Sequence, residues 1–134
     1  MADESVTGEQ VLSSGTLDPE VIHGLCELGE ASGEDLLSEL LQMFLNDLPH
    51  RQETIAEAVS AADLTKLQRE AHSLKSSSRA LGAMMLGELC AALELAARLQ
   101  DRERARGLLP GLFTELSVVE KTMSELLRRH TSSR

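Results

Sequence analysis

Around His72 the chain places Thr65, Gln68, Arg69, Lys75, Ser76 and Arg79. At ~100° per residue, all six fall within about 60° of the histidine on one helical face. None of them is apolar. The opposite face of the same stretch takes Leu64, Leu67, Ala71, Leu74, Ser78 and Leu81, in a stripe roughly 100° wide, which is what a core-facing helix needs. His72 therefore stands on a polar ridge, with cations one turn before it, one turn after and two turns after. A neutral imidazole nitrogen is a good nucleophile near neutral pH. If the ring takes a phosphoryl group, the neighbouring cations face a new dianion and stabilise it. An exposed histidine among bases on a stiff helix is thus equipped as a phosphoryl acceptor. Periodicity alone favours an ordinary surface histidine on a solvated face.

The elements that must hold this ridge are helical throughout. Residues 1–15 are small, polar and without period, and are expected to form a flexible N-terminal tail. Asp18-Pro19 then offers a cap followed by proline at the first helical position, opening a short helix whose apolar face is Val21, Leu25 and Leu28. Ser32-Gly33-Glu34-Asp35 starts a second helix, with Leu37, Leu40, Leu41, Phe44 and Leu48 at helical spacing. Pro49 interrupts it before Ile55 and Val59 resume, predicting one long bent helix or two abutting ones.

Ala62-Asp63 marks the next boundary, and the segment carrying His72 runs from 64 to 81, closed by Gly82. A further helix carries Leu86, Leu89, Cys90, Leu93, Ala96 and Ala97. The last, from about Arg102, carries Leu109, Leu112, Phe113, Leu116, Val119, Met123, Leu126 and Leu127. Pro110-Gly111 leaves its first turns open. No stretch alternates as a strand would. The expected fold is all-α, an antiparallel up-down four-helix bundle over residues 16–130 with a short additional N-terminal helix, and residues 131–134 frayed.

Composition narrows the function. The chain has 134 residues, enough for one domain. Its 22 acids against 13 Lys and Arg give a net charge of −9, and it has two Phe and no Tyr or Trp. That balance offers no general attraction to phosphate backbones or anionic lipid, and no stacking platforms for single-stranded nucleic acid. Neither nucleic acid nor membrane is expected as a partner. No signal peptide opens the sequence and no apolar run reaches the roughly 18 residues of a membrane span. The two cysteines, Cys26 and Cys90, lack a C-x-x-C spacing and read as reduced core thiols. A cytoplasmic location follows by default.

The run Ala71-His72-Ser73-Leu74-Lys75-Ser76-Ser77-Ser78, followed by Leu81-Gly82-Ala83, resembles the signature of histidine-containing phosphotransfer (HPt) domains. The likeness continues through Leu86, Cys90, Leu93-Glu94 and Arg98. It reaches upstream to Leu17-Asp18 and Phe44-Leu45-Asn46-Asp47, spanning roughly residues 16 to 128. The His-x-Leu-Lys core with its Leu-Gly pair is the specific part. The resemblance implies that His72 accepts a phosphoryl group from an aspartyl-phosphate on a response regulator receiver domain and passes it to another, within a phosphorelay fed by a hybrid sensor histidine kinase. It also implies a phosphate-stabilising role for Lys75, to which Arg79 is a candidate addition. Gln68, Arg69 and Ser76 would form the partner-docking face. Ser76 stands where the family usually has glycine, which is expected to narrow access for the receiver's loops. No cofactor is expected on this chain, Mg²⁺ being expected on the receiver.

Nothing in the sequence reads as a nucleotide site, since no G-x-x-x-x-G-K-[ST] is present, and autophosphorylation from ATP is not expected. A di-metal carboxylate bundle needs two Glu-x-x-His pairs, and only Glu20-Val21-Ile22-His23 fits. His50 and His130 read as solvated. The alternative of another class is a helical adaptor that docks partners without phosphoryl chemistry. Lys75 discriminates the two, because an adaptor has no reason to hold it one turn from His72.

Overall fold

The computed structural model describes residues 8–132. It contains six helices and no strand among those residues: α1 (Gly8–Leu12), α2 (Pro19–Ser32), α3 (Leu36–Ser60), α4 (Leu64–Ala80), α5 (Met84–Arg98) and α6 (Arg102–Ser132). Four of them start at an aspartate whose carboxylate satisfies an orphan N–H of the first turn. Asp18 accepts from Glu20 N, Asp35 from Ser38 N, Asp63 from Lys66 N and Asp101 from Arg104 N. The turn after α3 and the turn after α5 pass through left-handed residues, Ala62 at φ 57° and Gln100 at φ 62°. Each costs ~1 kcal/mol of local strain.

Helices α3 to α6 close a four-helix bundle in which α3 packs on α4, α4 on α5, α5 on α6 and α6 back on α3. The α4–α5 interface is the most extensive. The apolar stripe read for α4 is the buried one: Leu67, Ala71, Leu74 and Ser78 are fully buried, and Leu64 and Leu81 nearly so. Leu86, Cys90, Leu93, Ala96 and Ala97 face it from α5, and Leu112, Leu116, Val119 and Met123 from α6.

Of the two arrangements expected at Pro49, the single long helix is the one formed: α3 is continuous through Pro49, which is exposed, so the donor its ring removes lies at the surface, where water can complete the ladder. α6 is helical from Arg102 across Pro110, anchored by the Asp101 cap and by the fully buried Ala105. Within the expected tail, residues 8–12 form α1, which packs on α6 and buries Leu12; residues 1–7 lie outside the described ones. The bundle thus carries two N-terminal helices rather than one. In α2 the buried residues are Ile22 and Gly29, while Leu28 is exposed. His130 is not solvated: its side chain is only 24% exposed and its Nε2 lies 2.9 Å from Asp35 Oδ1, joining the end of α6 to the start of α3. His23 Nε2 lies 2.7 Å from Glu9 Oε1, joining α2 to α1.

Candidate functional site

The His72 ridge is the outer face of α4, flanked by α3 on one side and α5 on the other. Two constraints fix the α4–α5 register. At the turn, Gly82 has φ 83°, a conformation that suits glycine. A Cβ there would lie 3.0 Å from Asp18 N, and Gly82 O accepts a hydrogen bond from that same amide at 2.8 Å. Beyond the turn the helices run antiparallel, bringing Gly87 opposite Arg79 and Glu94 opposite Lys75 and His72. Gly87 leaves room for the Arg79 side chain to lie against α5, since a Cβ there would meet Arg79 Cγ at 2.8 Å.

Glu94 is the centre of the site. Its Oε2 lies 2.8 Å from His72 Nδ1, and its Oε1 accepts from Lys75 Nζ at 2.6 Å. The hydrogen bond from Lys75, with a lesser one from His72, holds the Glu94 carboxyl below its ordinary range although burial opposes this. Glu94 is therefore ionised near neutral pH and can only accept. It follows that His72 Nδ1 carries a hydrogen, and in the neutral ring Nε2 is the nitrogen with the lone pair. The Glu94 side chain is 16% exposed, against 61% for His72. The orienting contact is sheltered and the ring is open to solvent.

The α3 flank carries a different set. A guanidinium nitrogen of Arg51 donates to Ser73 Oγ at 3.0 Å, one residue along from His72. A surface groove of about 210 Å³ runs from there between α3 and α4, lined by Leu40, Met43, Phe44, Asp47, Arg51, Ser77, Ala80 and Leu81. Beneath the ridge, burial pushes the Cys90 thiol up to about 12, so it remains protonated and inert.

Of the residues singled out in the sequence, the structure joins His72 and Lys75 through Glu94. Arg79 lies across Gly87 on α5. Arg69 and Ser76 are exposed and Gln68 is half-buried, all three on the same outer face. Glu94 and Arg51 were not identified as site residues by sequence reasoning. The helical arithmetic that isolated the ridge runs along one helix, whereas these two reach it from neighbouring helices. A signal did exist for Glu94, one of two acids on the helix that packs beside the basic ridge.

An exposed imidazole with its tautomer set by a carboxylate, on the outer helix of a bundle and among cations, defines a phosphoryl-carrying module. The chain belongs to the Hpt domain family, whose description matches residues 39–129. It acts in histidine phosphotransfer within two-component phosphorelays. Among solved structures it is similar to histidine-containing phosphotransfer protein B from Pseudomonas aeruginosa, with 30% identity and a TM-score of 0.77, covering 85% of this chain and 96% of that one. It is also similar to the histidine-containing phosphotransfer protein ZmHP2 from maize, with 20% identity and a TM-score of 0.84, covering 95% and 96%. The second likeness concerns the fold. No match is found among curated proteins. Among the described residues, no helix is long and apolar enough to cross a membrane.

Proposed function

We propose that His72 Nε2 is the atom that receives and returns the phosphoryl group. The observation that carries this is the 2.8 Å contact between His72 Nδ1 and Glu94 on a ring otherwise open to solvent. The Nε2 lone pair attacks phosphorus of an aspartyl-phosphate, the P–O bond to the aspartate breaks, and its electron pair returns to the carboxylate. No proton has to leave Nε2, because the ring's hydrogen sits on Nδ1. The positive charge that develops on the phosphorylated ring is met by Glu94 across that hydrogen bond. α4, held on both flanks, keeps the nucleophile in place for in-line transfer.

The partners in this reading are response regulator receiver domains and a hybrid sensor histidine kinase, in the cytoplasm. Gln68, Arg69 and Ser76 form the face that a receiver meets, and the positive charge of α4, which carries Lys66, Arg69, Lys75 and Arg79 against Glu70, suits an acidic phosphorylation pocket. Mg²⁺ bound by the receiver supplies charge neutralisation on that side of the interface. Lys75 acts through Glu94, which it holds ionised and in position.

The test is transfer from a phosphorylated receiver to the wild-type chain and to His72→Gln. The wild type is expected to acquire an acid-labile label, and His72→Gln none. Acid-labile labelling of His72→Gln would overturn the assignment.

A further inference from the structure

α5 is apolar on both its inner and its outer side. Its inner residues Leu86, Cys90, Leu93 and Ala97 are buried in the bundle. On the outside, Met84, Met85, Ala91, Ala92, Leu95 and Leu99 fall within an arc of about 120° at ~100° per residue. Met85, Leu95 and Leu99, the last at the C-cap of the helix, are 57%, 42% and 66% exposed. Of the seven large apolar side chains exposed among the described residues, four lie on this face. The outer helix of a lone bundle turns polar residues to water, as α4 does around His72, whereas a helix that is apolar all round is a buried one. An apolar patch of this kind marks an interaction surface.

The charges on the helix point to the occupant. α5 has three charged residues, Glu88, Glu94 and Arg98, and Glu94 is committed to His72 and Lys75. Glu88 and Arg98 are exposed and form no ion pair among the described residues. When a second α5 lies antiparallel across the first, with a two-fold axis at Ala92, residue 92 + n meets residue 92 − n. Leu99 then lies opposite Met85 and Leu95 opposite Leu89, while the small Ala92 meets its own copy and lets the helices approach. Glu88 of one copy and Arg98 of the other fall two residues apart along the axis, ~3 Å at the helical rise. Symmetry makes this pairing twice. A parallel arrangement would instead set Glu88 against Glu88 and Arg98 against Arg98. The net charge of −9 is also concentrated away from this face, since residues 1–50 hold 11 acids and no Lys or Arg.

We propose that the outer face of α5 is where a second copy of this chain docks, antiparallel, about a two-fold axis at Ala92. Glu94 lies about 120° round the helix from the middle of that face, so the residues of the acceptor site take no part in the contact. The inference stands apart from the chemistry assigned to His72.

Sedimentation velocity of the full chain over a range of concentrations measures the association, and the wild type is expected to form a concentration-dependent dimer. Each substitution is felt twice in a symmetric pair. Leu95→Glu is therefore expected to raise the dissociation constant at least ~10-fold, and Glu88→Arg or Arg98→Glu about 10-fold each. Glu88→Arg combined with Arg98→Glu is expected to restore the dimer, which neither a folding defect nor a loss of apolar area could do. The two charge reversals lie at exposed positions, so they test the pairing independently of whether Leu95→Glu folds. A wild type that stays monomeric up to ~1 mM leaves the face to a different protein and overturns the inference. A dimer indifferent to all these changes overturns it as well, by placing the contact elsewhere. A double reversal no better than the single ones refutes the antiparallel pairing.

Discussion

Glu94→Gln keeps the shape of the residue at the centre of the site and removes its charge. The carboxylate accepts at both oxygens, 2.8 Å from His72 Nδ1 and 2.6 Å from Lys75 Nζ. An amide has one acceptor and one donor end. If its oxygen turns to Lys75, its NH₂ faces Nδ1 and moves the ring's hydrogen to Nε2, occupying the nucleophilic lone pair. If its oxygen turns to Nδ1, the NH₂ meets the ammonium, donor against donor. Either way a charge-assisted bond becomes at best a neutral one. Such bonds contribute about 1.5–3 and 0.5–1.5 kcal/mol respectively, so about 1–1.5 kcal/mol is lost. If that loss falls on the reactive tautomer, transfer slows by roughly 5- to 10-fold. Rapid-quench transfer from a phosphorylated receiver measures the rate, and ¹⁵N spectra of the His72 ring report which nitrogen carries hydrogen. A Glu94→Gln chain that transfers within twofold of wild type, with Nδ1 still protonated, would refute the role given to Glu94.

Three further outcomes follow from the scaffold. Ser78 is fully buried and its hydroxyl has no hydrogen-bond partner among the described residues, so Ser78→Ala should be neutral or stabilise the fold by about 1 kcal/mol in urea denaturation; a clear loss would show that the hydroxyl is satisfied. Gly82→Ala forces a Cβ to 3.0 Å from Asp18 N at φ 83° and should cost about 1–3 kcal/mol by the same measurement. Burial alone would raise the Asp35 carboxyl, but hydrogen bonds from Ser38 and His130 prevail and hold it at about 2, against an ordinary 3.8. A carboxylate depressed in this way stabilises the fold above its ordinary pKa, by about 2 kcal/mol here. That contribution is lost as pH falls from about 4 towards 2. Asp35→Asn, which still caps α3, should therefore be less stable than wild type at pH 6 and equal to it near pH 2; a gap that persists in acid would count against the ion pair.

The bundle and the ridge were legible in the sequence because both are properties of single helices. The stripe from Leu64 to Leu81 is buried as its period requires, and four aspartates cap the helices they precede. What the sequence hid is relational. Glu94 meets His72 only because the Gly82 turn sets α5 at one axial offset, and no pattern within α5 records that offset. Arg51 joins the site through the α3–α4 crossing, and His130 meets Asp35 across 95 residues of sequence. At the prolines the sequence left alternatives open. Pro49 and Pro110 each remove one donor, and packing along α3 and α6 outweighs that local loss. α1 escaped notice because five residues are too few to show a period, and its order comes from burying Leu12 against α6.

The hairpin of α4 and α5 also bears on how quickly the site comes into being. His72 and Glu94 are 22 residues apart along the chain and Lys75 and Glu94 are 19 apart, whereas the His130–Asp35 contact spans 95. Closing the shorter loop costs about 1 kcal/mol less chain entropy, and contacts of low sequence separation form fastest. This favours assembly of the carboxylate, the lysine and the imidazole while α6 is still seeking its place. The clasp between α6 and α3 closes the longest of these three loops. A nascent or partly unfolded chain can on this account present a formed acceptor face before the bundle is complete.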